Sequence, residues 1–177
     1  GIDPIEIAEE FGTDAGRMAL IVGTGPGTDS KISKDKIKGY KHFANKLWNI
    51  TRFIETNAKD ADMSAELTPG DQKLLDEMHT TITEITNDME EFRFYLAAEK
   101  IYHYVWHTFA DQIIEQKKDM AKSEGSPESA SAKKLLRTML DTQLVALHPF
   151  MPFVTEAIWQ EVRGGSSVLM VEPWPTR

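Results

Sequence analysis

With 177 residues, 41% of them hydrophobic, the chain can bury a sizeable core in one domain and still carry a small attached unit. No apolar run approaches the ~18 residues of a membrane span, no basic-apolar-small leader opens the sequence, and the absence of cysteine removes disulfides, thiolate metal sites and cysteine nucleophiles together. The expectation is a cytoplasmic protein held by packing, and its net charge of −8 argues against a general nucleic-acid binder.

In chain order, Asp3, Pro4 and Glu6 make a helix start, because Asp caps, Pro suits the first turn and Glu closes a capping box. Gly12 ends that short helix, Thr13 opens a second that runs to Gly23, and residues 23–29 (GTGPGTD) form a turn-rich connection. These glycines have the density of a phosphate cradle, but they follow a helix and lack the Gly-Lys-Ser/Thr ending of a P-loop. Ser30 or Ser33 begins a long helix ending near Asn57. Along it Phe43, Leu47, Ile50 and Ile54 recur at offsets of four, three and four, the spacing of one buried face.

That helix lies in a basic window. Residues 31–59 carry seven Lys and one Arg against Asp35 and Glu55, a net +6 that leaves −14 on the remainder. Such a local surface attracts a phosphate backbone while the rest repels misplaced contacts; the alternative is that Lys31, Lys34, Lys36, Lys38 and Lys41 are a solvated helix face. Beside the apolar stripe, Lys46, Asn49 and Phe53 share a face with Arg52 next to them. A cation, an amide, a guanidinium and an aromatic ring suit phosphates and unpaired bases.

Residues 58–67 read as a loop, and Thr68 with Pro69 restarts helix. Leu74, Leu75, Met78, Ile82, Ile85 and Met89 keep a 3.6-residue period. A break at residues 90–93 turns the chain into its longest helix, about 94–120, rich in aromatics. Residues 123–131 form a loop in which Ser126 and Pro127 cap the next helix, which runs to about Leu147. Pro149 and Pro152 force a corner where Phe150, Met151 and Phe153 fill the space between helices, joined by Trp159 and Trp174. A last helix covers 153–162, Gly164 and Gly165 end it, and residues 167–171 suggest one short strand. Four to five packed helices are the expected core.

Residues 39–54 (GYKHFANKLWNITRFI) resemble the start of the anticodon-binding helical domain of valyl-tRNA synthetases, whose pattern is Asn-Phe-Ala-Asn-Lys-Leu-Trp-Asn-Ala-x-Arg-Phe; His42 and Ile50 stand at two of its places. Residues 1–4 resemble the stretch just after the lysine-rich signature loop of the catalytic domain. Asp14, Ala15, Gly16 and Arg17 resemble an Asp-Ala-Leu-Arg element, with Gly16 for Leu weakening the helix by roughly 1 kcal/mol. Residues 106–115, 147–159 and 172–175 fit later segments of the domain.

The resemblance implies an all-α fold, the anticodon-binding helical bundle of class I aminoacyl-tRNA synthetases: a connector over residues 1–32, the bundle over 33–177, and at most one short C-terminal strand. It implies a complete enzyme that uses ATP and magnesium to activate valine and esterify valine tRNA. This portion would bind the anticodon stem-loop and set the acceptor end toward the catalytic domain. The implied tRNA contacts are Lys41, Lys46, Asn49, Arg52 and Phe53, with Phe53 stacking on a base, and Asp111 and Glu115 from a second wall. Residues 31–35 (KISKD) look like the Lys-Met-Ser-Lys-Ser loop but fall where the bundle helix begins. The His-x-Gly-His signature is missing, so no adenylate formation is expected of this chain alone, and nothing like the family's C-terminal coiled coil comes after Arg177.

Other classes stay open. An isoleucyl or leucyl relative shares such a bundle. Glu99, His103, His107 and Asp111 repeat every four residues, a spacing that can bind a divalent metal, so a helical scaffold or metal carrier remains. The pair Asp76 and His79 is a weaker version of the same pattern.

Overall fold

A computed structural model describes residues 3–29 and 32–176. The helix starts arise from the expected chemistry. Asp3 accepts the N–H of Ile5 at 2.8 Å to cap α1 (Pro4–Phe11), and α2 (Thr13–Ile21) starts directly after Gly12. Ser33 accepts the N–H of Lys36 to cap α3 (Lys34–Ala58); Ser30, the other candidate, lies outside the described residues, as do Lys31, Gly1, Ile2 and Arg177. Thr68 caps α4 (Pro69–Glu90), and Ser126 caps α7 (Pro127–Leu147), so the loop before α7 is shorter than 123–131. In each of these last two helices proline occupies the first turn, where no N–H is needed.

The rod from Phe94 to Lys122 is continuous but not uniform. It begins as α5 (Phe94–His103), passes through a π-helical segment (Tyr104–Ile114) and ends as α6 (Glu115–Lys122). In the π segment each N–H reaches back five residues instead of four, which widens the helix and changes the phase of its side chains. The turn before the rod puts Phe92 at φ 58°, left-handed backbone that costs a bulky residue free energy. Asp88 holds that turn: its carbonyl accepts Arg93 N–H at 2.7 Å, and its carboxylate takes Arg93 and, at 2.7 Å, Lys100.

The core sits around α7, which packs against α3, α4, α5, α6 and α8 (Pro152–Arg163). Phe43, Leu47, Ile50 and Ile54 of α3 are all buried, as are Met78, Ile82 and Ile85 of α4 and Phe109 of the rod. Residues 1–32, the expected connector, supply α1 and α2, and Ala15, Met18 and Ala19 enter the same core as α3. Asp14 and Arg17 explain why that element suits this place. The Asp14 carboxylate accepts the N–H groups of Phe153 and Val154 at 3.3 and 2.6 Å, capping α8 from across the molecule. Arg17 donates to the carbonyls of Pro149 and Phe150. Gly16 lies against Ile7, whose Cγ2 is 3.0 Å from where a Cβ would stand, beside a mostly apolar cavity of about 200 Å³.

Two expectations are corrected. Phe150, Met151 and Trp159 are buried as the corner requires, but Phe153 is 64% exposed: in the first turn of α8 it is its N–H, held by Asp14, that engages the rest of the molecule, while its ring faces solvent. The suggested strand is a 3-10 turn (Leu169–Val171), and no strand occurs among the described residues. A lone extended segment has no ladder partner for its backbone groups. Here Leu169 N–H goes to the Glu156 carboxylate, and the Ser167 carbonyl accepts from Gln160. Trp174 packs at the core edge and donates to Thr86 at 2.8 Å.

Candidate nucleic-acid interface

The apolar stripe of α3 faces inward, which turns its neighbouring face toward the rod. Between them lies a cleft of about 240 Å³. Lys46, Asn49, Ile50 and Phe53 of α3 line one side; Ala110, Ile114 and Glu115 of the rod line the other. Ile50, Ala110 and Ile114 are buried and make an apolar floor, Phe53 and Lys46 are half-buried, and Asn49 and Glu115 are exposed.

Charge is arranged asymmetrically across this cleft. The α3 wall carries donors and the rod wall carries carboxylates. Lys46 Nζ lies 3.0 Å from Asp111 Oδ1 and 5.8 Å above the Trp106 ring, so carboxylate and aromatic face hold the ammonium together. Arg52 donates to Asn49 Oδ1 at 2.9 Å, leaving the Asn49 amino group on offer as a donor. Glu115 accepts from Lys118 at 2.5 Å. Trp106 stacks on the buried Phe43 (6.0 Å, 17° between planes) and meets Tyr102, whose phenol burial pushes up, so an aromatic column ties the cleft to the core. Cationic donors, carboxylate acceptors, an apolar floor and a ring edge suit a flat base on an anionic strand.

Six of the seven residues expected to touch RNA therefore gather here: Lys46, Asn49, Phe53 and Glu115 as lining, Arg52 through Asn49, and Asp111 through Lys46. Lys41 does not. Its ammonium donates to the Glu10 carbonyl at 2.8 Å and lies over the Phe11 ring, in a separate groove lined also by Lys34, Lys38 and His42. Lys36 donates to the Val22 carbonyl at 2.6 Å and Lys34 pairs with Glu10. Lys34, Lys36 and Lys41 of the basic face thus hold α1 and the end of α2 in place. Trp106, beneath the Lys46 ammonium at the edge of the cleft, has no role that the sequence assigns. Its signal was its place in the aromatic run of the rod, which does not reveal the facing lysine.

The other candidates resolve differently. Glu99 and His103 lie 3.8 Å apart and His107 and Asp111 3.6 Å apart, while the two imidazoles stack at 5.4 Å. Among the described residues no three His or carboxylate side chains converge on a point that would hold a metal. Residues 23–29 fold as a turn after α2, with Thr28 bonding to the Gly25 carbonyl through both its N–H and its hydroxyl. No helix among the described residues is long and apolar enough to cross a membrane.

The chain is similar to known proteins over nearly its whole length. Valine-tRNA ligase of Bacillus cereus is 35% identical over 181 residues, covering 99% of this chain and 20% of the relative. That of Syntrophotalea carbinolica is 40% identical over 169 residues, covering 92% and 19%. The chain therefore spans about a fifth of the length of the relatives it matches. Among solved structures, the ternary complex of Agrobacterium radiobacter K84 agnB2 LeuRS with tRNA and LeuAMS shares the fold at a TM-score of 0.71 and 22% identity, covering 99% of this chain and 21% of that one. The family described as the anticodon-binding domain of tRNA ligase matches residues 71–177, from the first turn of α4 onward. The chain belongs to that family of anticodon-binding domains.

Proposed function

We propose that this chain is the anticodon-binding part of a valine-tRNA ligase and holds the anticodon stem-loop of valine tRNA in the cleft between α3 and the π segment. The observation that carries the reading is the meeting of Lys46, Asn49 and Phe53 with Ala110, Ile114 and Glu115, residues far apart in sequence, around one base-sized space. Relatives named valine-tRNA ligase, similar over nearly the whole chain, support the choice of amino acid.

In this reading Phe53 stacks on an unpaired base, Lys46 and Arg52 meet phosphates or base edges, and Asn49 and Glu115 hydrogen-bond within the cleft. Lys41 supports the wall by fixing α1. Residues 1–32 join the bundle to a catalytic domain, and ATP and magnesium serve that domain, with no step of activation assigned to residues of this chain. The contribution here is positioning: binding energy spent on the anticodon arm sets the acceptor end for reaction elsewhere in a cytoplasmic enzyme.

The test is the affinity of the 177-residue chain for the valine anticodon stem-loop at low salt, beside a stem-loop with a changed anticodon. Trp106, next to Lys46, supplies an intrinsic fluorescence signal. Tighter binding of the valine loop supports the proposal. Equal binding of both loops leaves only backbone electrostatics and removes the specific reading.

A further inference from the structure

The Lys46–Asp111 pair lies at the rim of the cleft, with side chains 32% and 44% exposed. An ion pair that open to water adds little to stability and exchanges partners readily. RNA entering the cleft brings phosphates, which compete for Lys46. Once Lys46 turns to a phosphate, the Asp111 carboxylate is left beside a polyanion with His107, 3.6 Å from its other oxygen, as its neighbour among the described residues. A carboxylate accepts hydrogen bonds and cannot donate them, so where the strand displaces the water around it, the strand must offer a donor in exchange.

Bases differ in what they can offer. Adenine, cytosine and guanine carry exocyclic amino groups that donate to a carboxylate. Uracil has none, and its single ring N–H lies between two keto oxygens that face the carboxylate with like charge. The 2′-hydroxyl is common to every nucleotide and does not discriminate among them. The second carboxylate of the same wall, Glu115, is held by Lys118 and has less need of a new donor.

We propose that Asp111 is a specificity-determining residue of this cleft: on RNA binding it exchanges Lys46 for the exocyclic amino group of a loop base, so that an amino-bearing base is favoured over uracil. This rests on the reading of the cleft as an RNA site. The free protein holds Lys46 and Asp111 against each other, and the matching RNA satisfies both at once. A loop with uracil at that position satisfies only the lysine.

The experiment measures Kd of the 177-residue chain for RNA hairpins identical except for A, C, G or U at each loop position in turn. The wild type is compared with Asp111→Asn and with Asp119→Asn, which removes the same charge from an exposed position outside the cleft lining. The wild type should bind uracil about tenfold more weakly than an amino-bearing base at one loop position. Asp111→Asn should collapse that ratio, mainly by strengthening the uracil hairpin, because an amide also donates and Lys46 is released; Asp119→Asn should leave the ratio unchanged. A wild type indifferent to uracil, or an Asp111→Asn variant that shifts all hairpins by one factor, would overturn the exchange while leaving RNA binding intact. A wild type that binds no hairpin removes the RNA reading itself, and the exchange with it.

Discussion

Two of the Lys–Asp pairs that join the rod to its neighbours do opposite work. Lys117 of α6 reaches Asp71 of α4 at 2.5 Å, with side chains 16% and 2% exposed, and Ser131 of α7 adds a hydrogen bond at 2.5 Å to the other Asp71 oxygen. Ser131 also accepts the N–H of Thr68, so three helices and the end of a loop close on one buried carboxylate. Asp111 of the π segment meets Lys46 of α3 in the open. The same two residue types make a fixed anchor where water is excluded and an exchangeable contact where it is not.

Removing the fixed anchor should give the largest effect. Asp71→Ala leaves Lys117 and Ser131 without their partner and should cost about 3–5 kcal/mol in urea unfolding, with RNA affinity per folded molecule unchanged. A loss under about 1 kcal/mol would erase the contrast between the pairs. On the other side, Phe53→Ala should weaken RNA binding by about 1–3 kcal/mol. Because Phe53 also packs at the core edge, its thermal stability must be measured beside its affinity. A large fall in Tm with affinity intact would make Phe53 a core residue only.

Smaller effects sharpen the boundary between anchors and cleft. Lys46→Ala should lower the slope of log affinity against log salt by about one phosphate's worth while leaving Tm nearly unchanged; an unchanged slope would mean that Lys46 never leaves Asp111. Phe92→Gly relieves a left-handed residue in a turn already fixed by Asp88 and should raise stability by about 1 kcal/mol, read by thermal unfolding with RNA affinity unaltered.

The smallest effect concerns pH. Burial pushes the His148 imidazole below its ordinary value of 6.5. Its Nδ1 lies 2.9 Å from Thr155 Oγ1, whose own proton goes to the Met151 carbonyl, so Nδ1 is the donor and the buried Nε2 has no partner. The unfolded chain takes up that proton first, so stability is full above the ordinary value and falls as pH drops through it toward the lowered one. Burial raises Asp14 and Asp141, and these act in the opposite sense, restoring stability as pH falls through their raised values toward 3.8. His148→Gln should therefore flatten the decline of Tm between about pH 7.5 and about pH 5.5; an unchanged profile would remove His148 as its source.

What could be read from sequence was what a single helix determines by itself. The α3 stripe and its neighbouring face come from one period, and six of the seven candidate residues met at one cleft because four lie on that helix. The rod was harder. The four-residue repeat from Glu99 to Asp111 does stay on one edge, as two ion pairs joined by stacked imidazoles, but its spacing alone could not say that no three of these side chains converge on a metal-sized point among the described residues. Individual side-chain contacts across long separations were the least legible. Nothing local to Phe153 says that Asp14 will cap its helix, and nothing local to Lys41 says that the Glu10 carbonyl will hold it.

The most direct test of the central claim is where the RNA sits. Backbone amide shifts of the labelled chain, tracked during titration with the valine anticodon stem-loop at low salt, should move first at Lys46, Asn49 and Phe53 and at Ala110, Ile114 and Glu115, with α1 and α8 still. Shifts confined instead to the exposed Phe92 turn or to the Phe153 face of α8, with the cleft unmoved, would contradict the account.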